Sequence, residues 1–168
     1  MNETLVEAIV TLKTEFMKRN EGGSHIQEIM PTLPESLSID KHELEMLHKF
    51  AESNSIYSDS YEMSILDTIC KVYQGDVNNY WLDSIKHDTS YAPFYPIWIL
   101  SAYALVLESK NIGAKQIIDI GSGDGRIAYC AKVAGLESYG IEIDENLVSL
   151  ENKISSNTGV DFQPMMAD

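Results

Sequence analysis

At 168 residues, 44% hydrophobic and 23% charged, the chain can bury the core of one ordinary domain and is too apolar for a disordered segment. Its net charge of −14 disfavours wrapping on nucleic acid, since an acidic surface repels phosphate backbones and the densest basic cluster is the short "MKR" at 17–19. Cys70 and Cys130 stand far apart, with no CxxC and no histidine pair at metal spacing, which points to reduced cysteines in a cytoplasmic protein without a metal site.

The first half reads as helical. Leu5, Ile9, Leu12 and Phe16 fall on one face of a helix that Gly22-Gly23 ends, and the acid near the N-terminus argues against a secretory signal. A short helical piece, "SHIQEIM", runs into Pro31 and Pro34. "SIDKHELEMLHKFAES" opens with Asp40 as cap and Glu43 three positions on, so a second full helix starts there. Further helices are expected at about 60–74, 77–86 and 95–109. The apolar run 91–107 is broken by Pro93 and Pro96 and is too rich in Tyr and Ser for a bilayer span.

From residue 115 the period changes. "KQIIDI" reads as strand, "GRIAYCAKVAG" as helix, "SYGIEI" as strand, "ENLVSLENKISSN" as helix and "VDFQPMM" as strand. The fold class is therefore α/β: an N-terminal helical region (1–90), then the first half, β-α-β-α-β, of a Rossmann-like doubly wound parallel sheet (91–168). The boundary falls between 88 and 113, with the 95–109 helix packing on the sheet.

Between the first strand and its helix lies "GSGDGR", with glycines at 121, 123 and 125. Such a loop lets backbone approach a ligand at the carboxyl end of the sheet. It lacks the GK[ST] of a nucleoside-triphosphate loop, and its spacing is GxGxG where a dinucleotide fingerprint has GxGxxG. Asp119 and Asp124 flank it, and carboxylates beside a pyrophosphate cost affinity, so a cationic or zwitterionic ligand is expected. Glu142 ends the second strand, where an acid can accept from two ribose hydroxyls; Asp144 is the alternative, or the cap of the next helix. Asp168, at the end of the third strand, could accept from an exocyclic adenine amine or be a solvated terminus.

An ammonium end, a ribose and an adenine together describe S-adenosylmethionine. "IIDIGSGDGR…YGIEID…MAD", over about residues 115–168, resembles the cofactor motifs of class I S-adenosylmethionine-dependent methyltransferases. With "SYAPFYPIW" before it, the stretch is most similar to the small non-SET protein lysine methyltransferases of archaea and mitochondria. The resemblance implies that Tyr91 and Pro93 help close the cofactor pocket, and that Asp119, Glu142 and the loop Gly121, Ser122, Gly123, Asp124 and Gly125 form the cofactor site.

Three strands are readable where that fold has seven, and no acceptor-positioning motif follows. His25, His42, His48 and His87 lie in the helical half without a nucleophile or acid at catalytic spacing. The expectation is a chain cut after the third strand, or a homodimer covering the open sheet edge. The helical half would recognise substrate, and its acidity suits a basic protein, with a small-molecule acceptor as the alternative. A non-catalytic helical module with a vestigial half-sheet is the competing reading.

Overall fold

Helix α1 (Leu5–Arg19) begins where Thr4 and Glu7 bond reciprocally: the Thr4 N–H donates to Glu7 at 2.8 Å and the Glu7 N–H to the Thr4 hydroxyl at 3.3 Å. Its buried face is Ile9, Leu12 and Phe16, as the sequence spacing predicts. The structure, a computed structural model, describes residues 4–19, 25–76 and 94–167. The expected helix over 77–86, together with His87, Tyr91, Pro93 and Asp168, lies outside them.

Two expected helical stretches are strands. "HIQEIM" lies in strand β1 (His25–Pro31), and the 60–74 region falls in a hairpin of β2 (Tyr57–Ile65) and β3 (Thr68–Asp76). The three form an antiparallel sheet in the order β1-β3-β2. Ile29 and Met30 are neighbours in β1 and both fully buried, so this strand is covered on both faces and lacks the alternation that marks a half-exposed strand. Helix α2 (Lys41–Ser53) starts at Asp40, whose carboxylate accepts from the N–H groups of His42 and Glu43. That cap was readable in sequence.

Beyond residue 94 the order follows the expectation. Helix α3 (Ile99–Asn111) leads into β4 (Gln116–Ile120), α4 (Arg126–Val133), β5 (Glu137–Glu142), α5 (Glu145–Thr158) and β6 (Pro164–Met166). The strands pair in parallel in the order β4-β5-β6. Helix α4 packs on β4 and β5, α5 on β5 and β6, and α3 on α4. Helix α2 packs against α4 and α5, so the two sheets share one core with the helices between them.

The other face of the parallel sheet carries exposed apolar side chains: Ile118, Ile120 and Met165 share it, Ile120 being 81% exposed. Strand β4 has no partner on its outer side among the described residues. No helix of the described residues is long and apolar enough to cross a membrane.

Candidate functional site

The loop between β4 and α4 is bent by Gly121, Gly123 and Gly125, all at positive φ (75°, 63° and 78°). What surrounds each one differs. A Cβ on Gly121 would meet nothing within 4 Å, and Gly121 lines a pocket of about 380 Å³. A Cβ on Gly123 would lie 2.5 Å from the Phe94 ring, and one on Gly125 would lie 2.5 Å from the Phe162 ring and 2.8 Å from Glu151 Oε1. One glycine keeps the pocket open, and the other two let the loop lie flat against aromatic rings.

The amide groups of this loop point inward. Gly121 and Ser122 N–H both donate to the Ile141 carbonyl (2.8 and 3.0 Å), Gly123 N–H to Glu142 Oε2 (2.8 Å) and Gly125 N–H to the Ser122 carbonyl (2.9 Å). A phosphate-binding loop aims such donors at its ligand. Here they are consumed by the protein, so phosphate has little to bind. The pocket lining is rich in acid instead: Asp119, Asp124, Glu142 and Asp144, with Arg126 paired to Asp124 and apolar surface from Phe94, Tyr95 and Ile97.

Asp119 makes no hydrogen bond among the described residues, and burial, then Asp124 and Glu142, push its carboxyl above the usual range. A carboxyl already strained by neighbouring acids is stabilised by any cation placed beside it. Glu142 is buried and braces the site: besides Gly123, the N–H groups of Ile143 (2.8 Å) and Asp144 (3.0 Å) donate to its Oε1. Oε1 is therefore saturated, and Oε2 keeps one acceptor site. Asp144 is the cap of α5: its Oδ1 accepts from the Asn146 and Leu147 N–H groups, and the residue also lines the pocket.

Of the loop residues expected at the ligand, Ser122 and Asp124 border the pocket with their polar side-chain atoms turned inward, and Gly125 does not line it. Asp124 is fully buried, with its carboxylate turned away into an ion pair with Arg126 (Nε to Oδ1 2.8 Å, and Nη2 to Oδ2) and a hydrogen bond from Asn54 Nδ2 at 2.8 Å. The buried guanidinium and Asn54 hold the carboxylate inward, although Asp124 and Arg126 both border the pocket. Gly125 faces Phe162 and is not part of the pocket wall. The Ser122 hydroxyl is buried beside Glu151, behind Gly140, with no hydrogen-bond partner.

Sequence reasoning missed the cluster beneath the loop. Arg126 donates also to Glu28 Oε2 (3.2 Å), to Tyr57 Oη (3.3 Å) and to the Ile97 carbonyl, and its guanidinium lies over the Phe50 ring. Glu28 is raised to about 7, first by burial, with Arg126 and the Ile99 N–H opposing. Burial pulls Arg126 down, but Asp124 and its other partners more than offset that, leaving it well above its ordinary value. The one signal available in sequence was an arginine two positions after an acid in "GDGR"; nothing in it named Glu28, Tyr57 or Asn54 as partners.

No protein-family model and no curated protein matches the chain. Among solved structures it is similar to TehB from Haemophilus influenzae, at 16% identity and a TM-score of 0.35, over 63% of this chain and 33% of that one. It is also similar to a protein assigned as an O-methyltransferase from Klebsiella pneumoniae, at 16% identity and a TM-score of 0.38, over 54% of this chain and 41% of that one. The chain thus spans well under half the length of either. Likeness this distant carries no argument about activity, which rests on the loop's own chemistry.

Proposed function

We propose that the pocket binds S-adenosylmethionine and that the chain is the cofactor-binding part of a methyltransferase. The observation that carries this reading is the inward turn of the loop amides, with Asp119 and Glu142 left facing the pocket. That donor set disfavours a pyrophosphate and suits a ligand with an ammonium group and hydroxyls. The residues present fit: Asp119 has an unengaged carboxyl for a cation, Glu142 Oε2 one site for a hydroxyl, and the pocket volume lies in the range of small-molecule sites. When bound, the cofactor supplies an electrophilic methyl group on a sulfonium.

The chain's own residues bind and orient. Asp119 would hold the cationic end, Glu142 the sugar, and Gly121 the space between them. Phe94 and Tyr95 also line the pocket and add aromatic surface that can meet positive charge. For the acceptor we propose a protein lysine, drawn as a cation to a pocket lined by acids and the 81%-exposed Tyr95, and reacting as the neutral amine after losing its proton to solvent. A homodimer covering the bare edge of β4 belongs to the same proposal.

The test is calorimetric titration with S-adenosylhomocysteine, with NAD as the control. Saturable binding of the first alone supports the reading; binding of NAD instead, or of neither by the folded protein, overturns it. Two substitutions locate the site. Gly121→Val places a branched side chain in the open space and strains a positive φ, so affinity should fall at least about tenfold, a cost of about 1.4 kcal/mol. Glu142→Ala should cost about 1–3 kcal/mol of binding by removing a charged acceptor, and parental affinity would move the hydroxyl contact elsewhere.

A further inference from the structure

We propose that Asn54, from the N-terminal half, is a positioning residue of the glycine loop: it holds the Asp124 carboxylate inward, so that the pocket is left to Asp119 and Glu142. Asn54 ends α2 and is buried. Its Oδ1 accepts from the Ile56 N–H at 3.1 Å, which fixes the amide orientation and aims Nδ2 at Asp124 Oδ2, 2.8 Å away and seventy residues on in sequence. Arg126 grips the same carboxylate from the other side.

Asp124 sits between Gly123 and Gly125, the two positive-φ residues that rest on Phe94 and Phe162. Its side chain therefore decides how the loop lies. Turned inward, it anchors the segment whose Gly123 N–H reaches Glu142 and whose Gly125 N–H reaches the Ser122 carbonyl. Turned outward, its charge would join those of Asp119, Glu142 and Asp144 on the pocket wall, and Asp119 is already pushed upward by Asp124 and Glu142. The N-terminal half thus takes part in building the ligand site through Asn54, with Glu28 and Tyr57 completing the grip on Arg126. The ligand-affinity part of this inference rests on the cofactor reading; the loop-positioning part does not.

Amide hydrogen exchange of the ligand-free protein tests it, with protection at Gly123 and Gly125 compared against buried amides of α3. Asn54→Ala should lower loop protection about tenfold while α3 stays protected, and should weaken S-adenosylhomocysteine binding to a similar degree. Asn54→Asp adds a pH readout that a merely structural role would not give. The groups facing the introduced carboxyl are Asp124 and Arg126, with Tyr57 and Glu28 behind them. At pH 5 the introduced acid can donate to Asp124 and loop protection should approach the parent's; at pH 8 it repels Asp124 and protection should fall. Should Asn54→Ala fail to fold, the change in loop protection between pH 5 and pH 8 in Asn54→Asp, taken relative to the parent's own change over that interval, decides, because Glu28 and Glu151 titrate in both. Loop protection that tracks α3 in every variant and at both pH values overturns the proposal. A parent that binds no S-adenosylhomocysteine while its variants loosen the loop would overturn the cofactor reading and leave the positioning role standing.

Discussion

Replacing Arg126 by methionine should cost about 3–5 kcal/mol of folding stability at pH 7, the loss usual when one partner of a buried ion pair is removed. Among the described residues the guanidinium is the one positive charge bonded to Asp124, Glu28 and Tyr57, and each of the three bonds to it. Without it, Asp124 keeps only Asn54 Nδ2 and one backbone N–H at 3.4 Å, and the residue stays fully buried. Glu28 suffers less, because its carboxyl, raised to about 7, can be neutral near physiological pH. The deficit should therefore shrink at pH 5, where Glu28 is protonated. Pairing Arg126→Met with Asp124→Asn should recover much of the loss, since the uncompensated charge is the main cost. Denaturant unfolding followed by circular dichroism at both pH values measures all of this. A loss under about 1 kcal/mol for the single variant would mean that water already reaches the cluster, contrary to the burial of Arg126 and Asp124.

The same cluster marks the limit of what the sequence could disclose. From Lys115 onward, chain order, strand identity and the loop were legible, because β-branched runs, a glycine cluster and Asp144 at a helix start are local signals with local causes. The β2–β3 hairpin was not. Ile65, Ile69, Val72 and Tyr73 follow a helical spacing, yet cross-strand pairing with β1 and the Leu66–Asp67 turn decide the outcome. That turn has Leu66 at φ 53°, without the Asn-Gly or Asp-Gly pair that announces a hairpin. In the candidate site, Asp119 and Glu142 were readable from their places at strand ends. The inward fate of Asp124 was not, since it depends on Asn54, Arg126 and Glu28, which come together only when the two sheets pack on a shared helical layer. Acids near a loop state the sign of the charge; tertiary contacts decide which of them a ligand meets.

Glu151 turns this into a second measurable consequence. It projects from α5 beneath the loop, fully buried, with neither oxygen hydrogen-bonded, close to where Cβ atoms on Gly125 and Gly140 would stand. Burial raises its carboxyl to about 8, the neighbouring Ser122 hydroxyl opposes this, and Glu142, Asp124 and Asp119 push it upward. The folded protein therefore holds a proton there that the unfolded chain, at about 4.5, gives up. Stability from this group is complete below pH 4.5, falls as pH rises toward 8 and is flat above, a span of a few kcal/mol at about 1.4 per pH unit. Glu28 adds a fall of the same sign between 4.5 and about 7. Glu151→Gln keeps the shape without the titration, and its amide can donate to the unpaired Ser122 hydroxyl. The variant should match the parent near pH 5 and exceed it by about 2–4 kcal/mol at pH 8. Unfolding at pH 5, 6.5 and 8 checks the slope. Equal pH slopes in parent and variant would show that the carboxyl ionises freely, and so that water or a counter-charge reaches the underside of the loop.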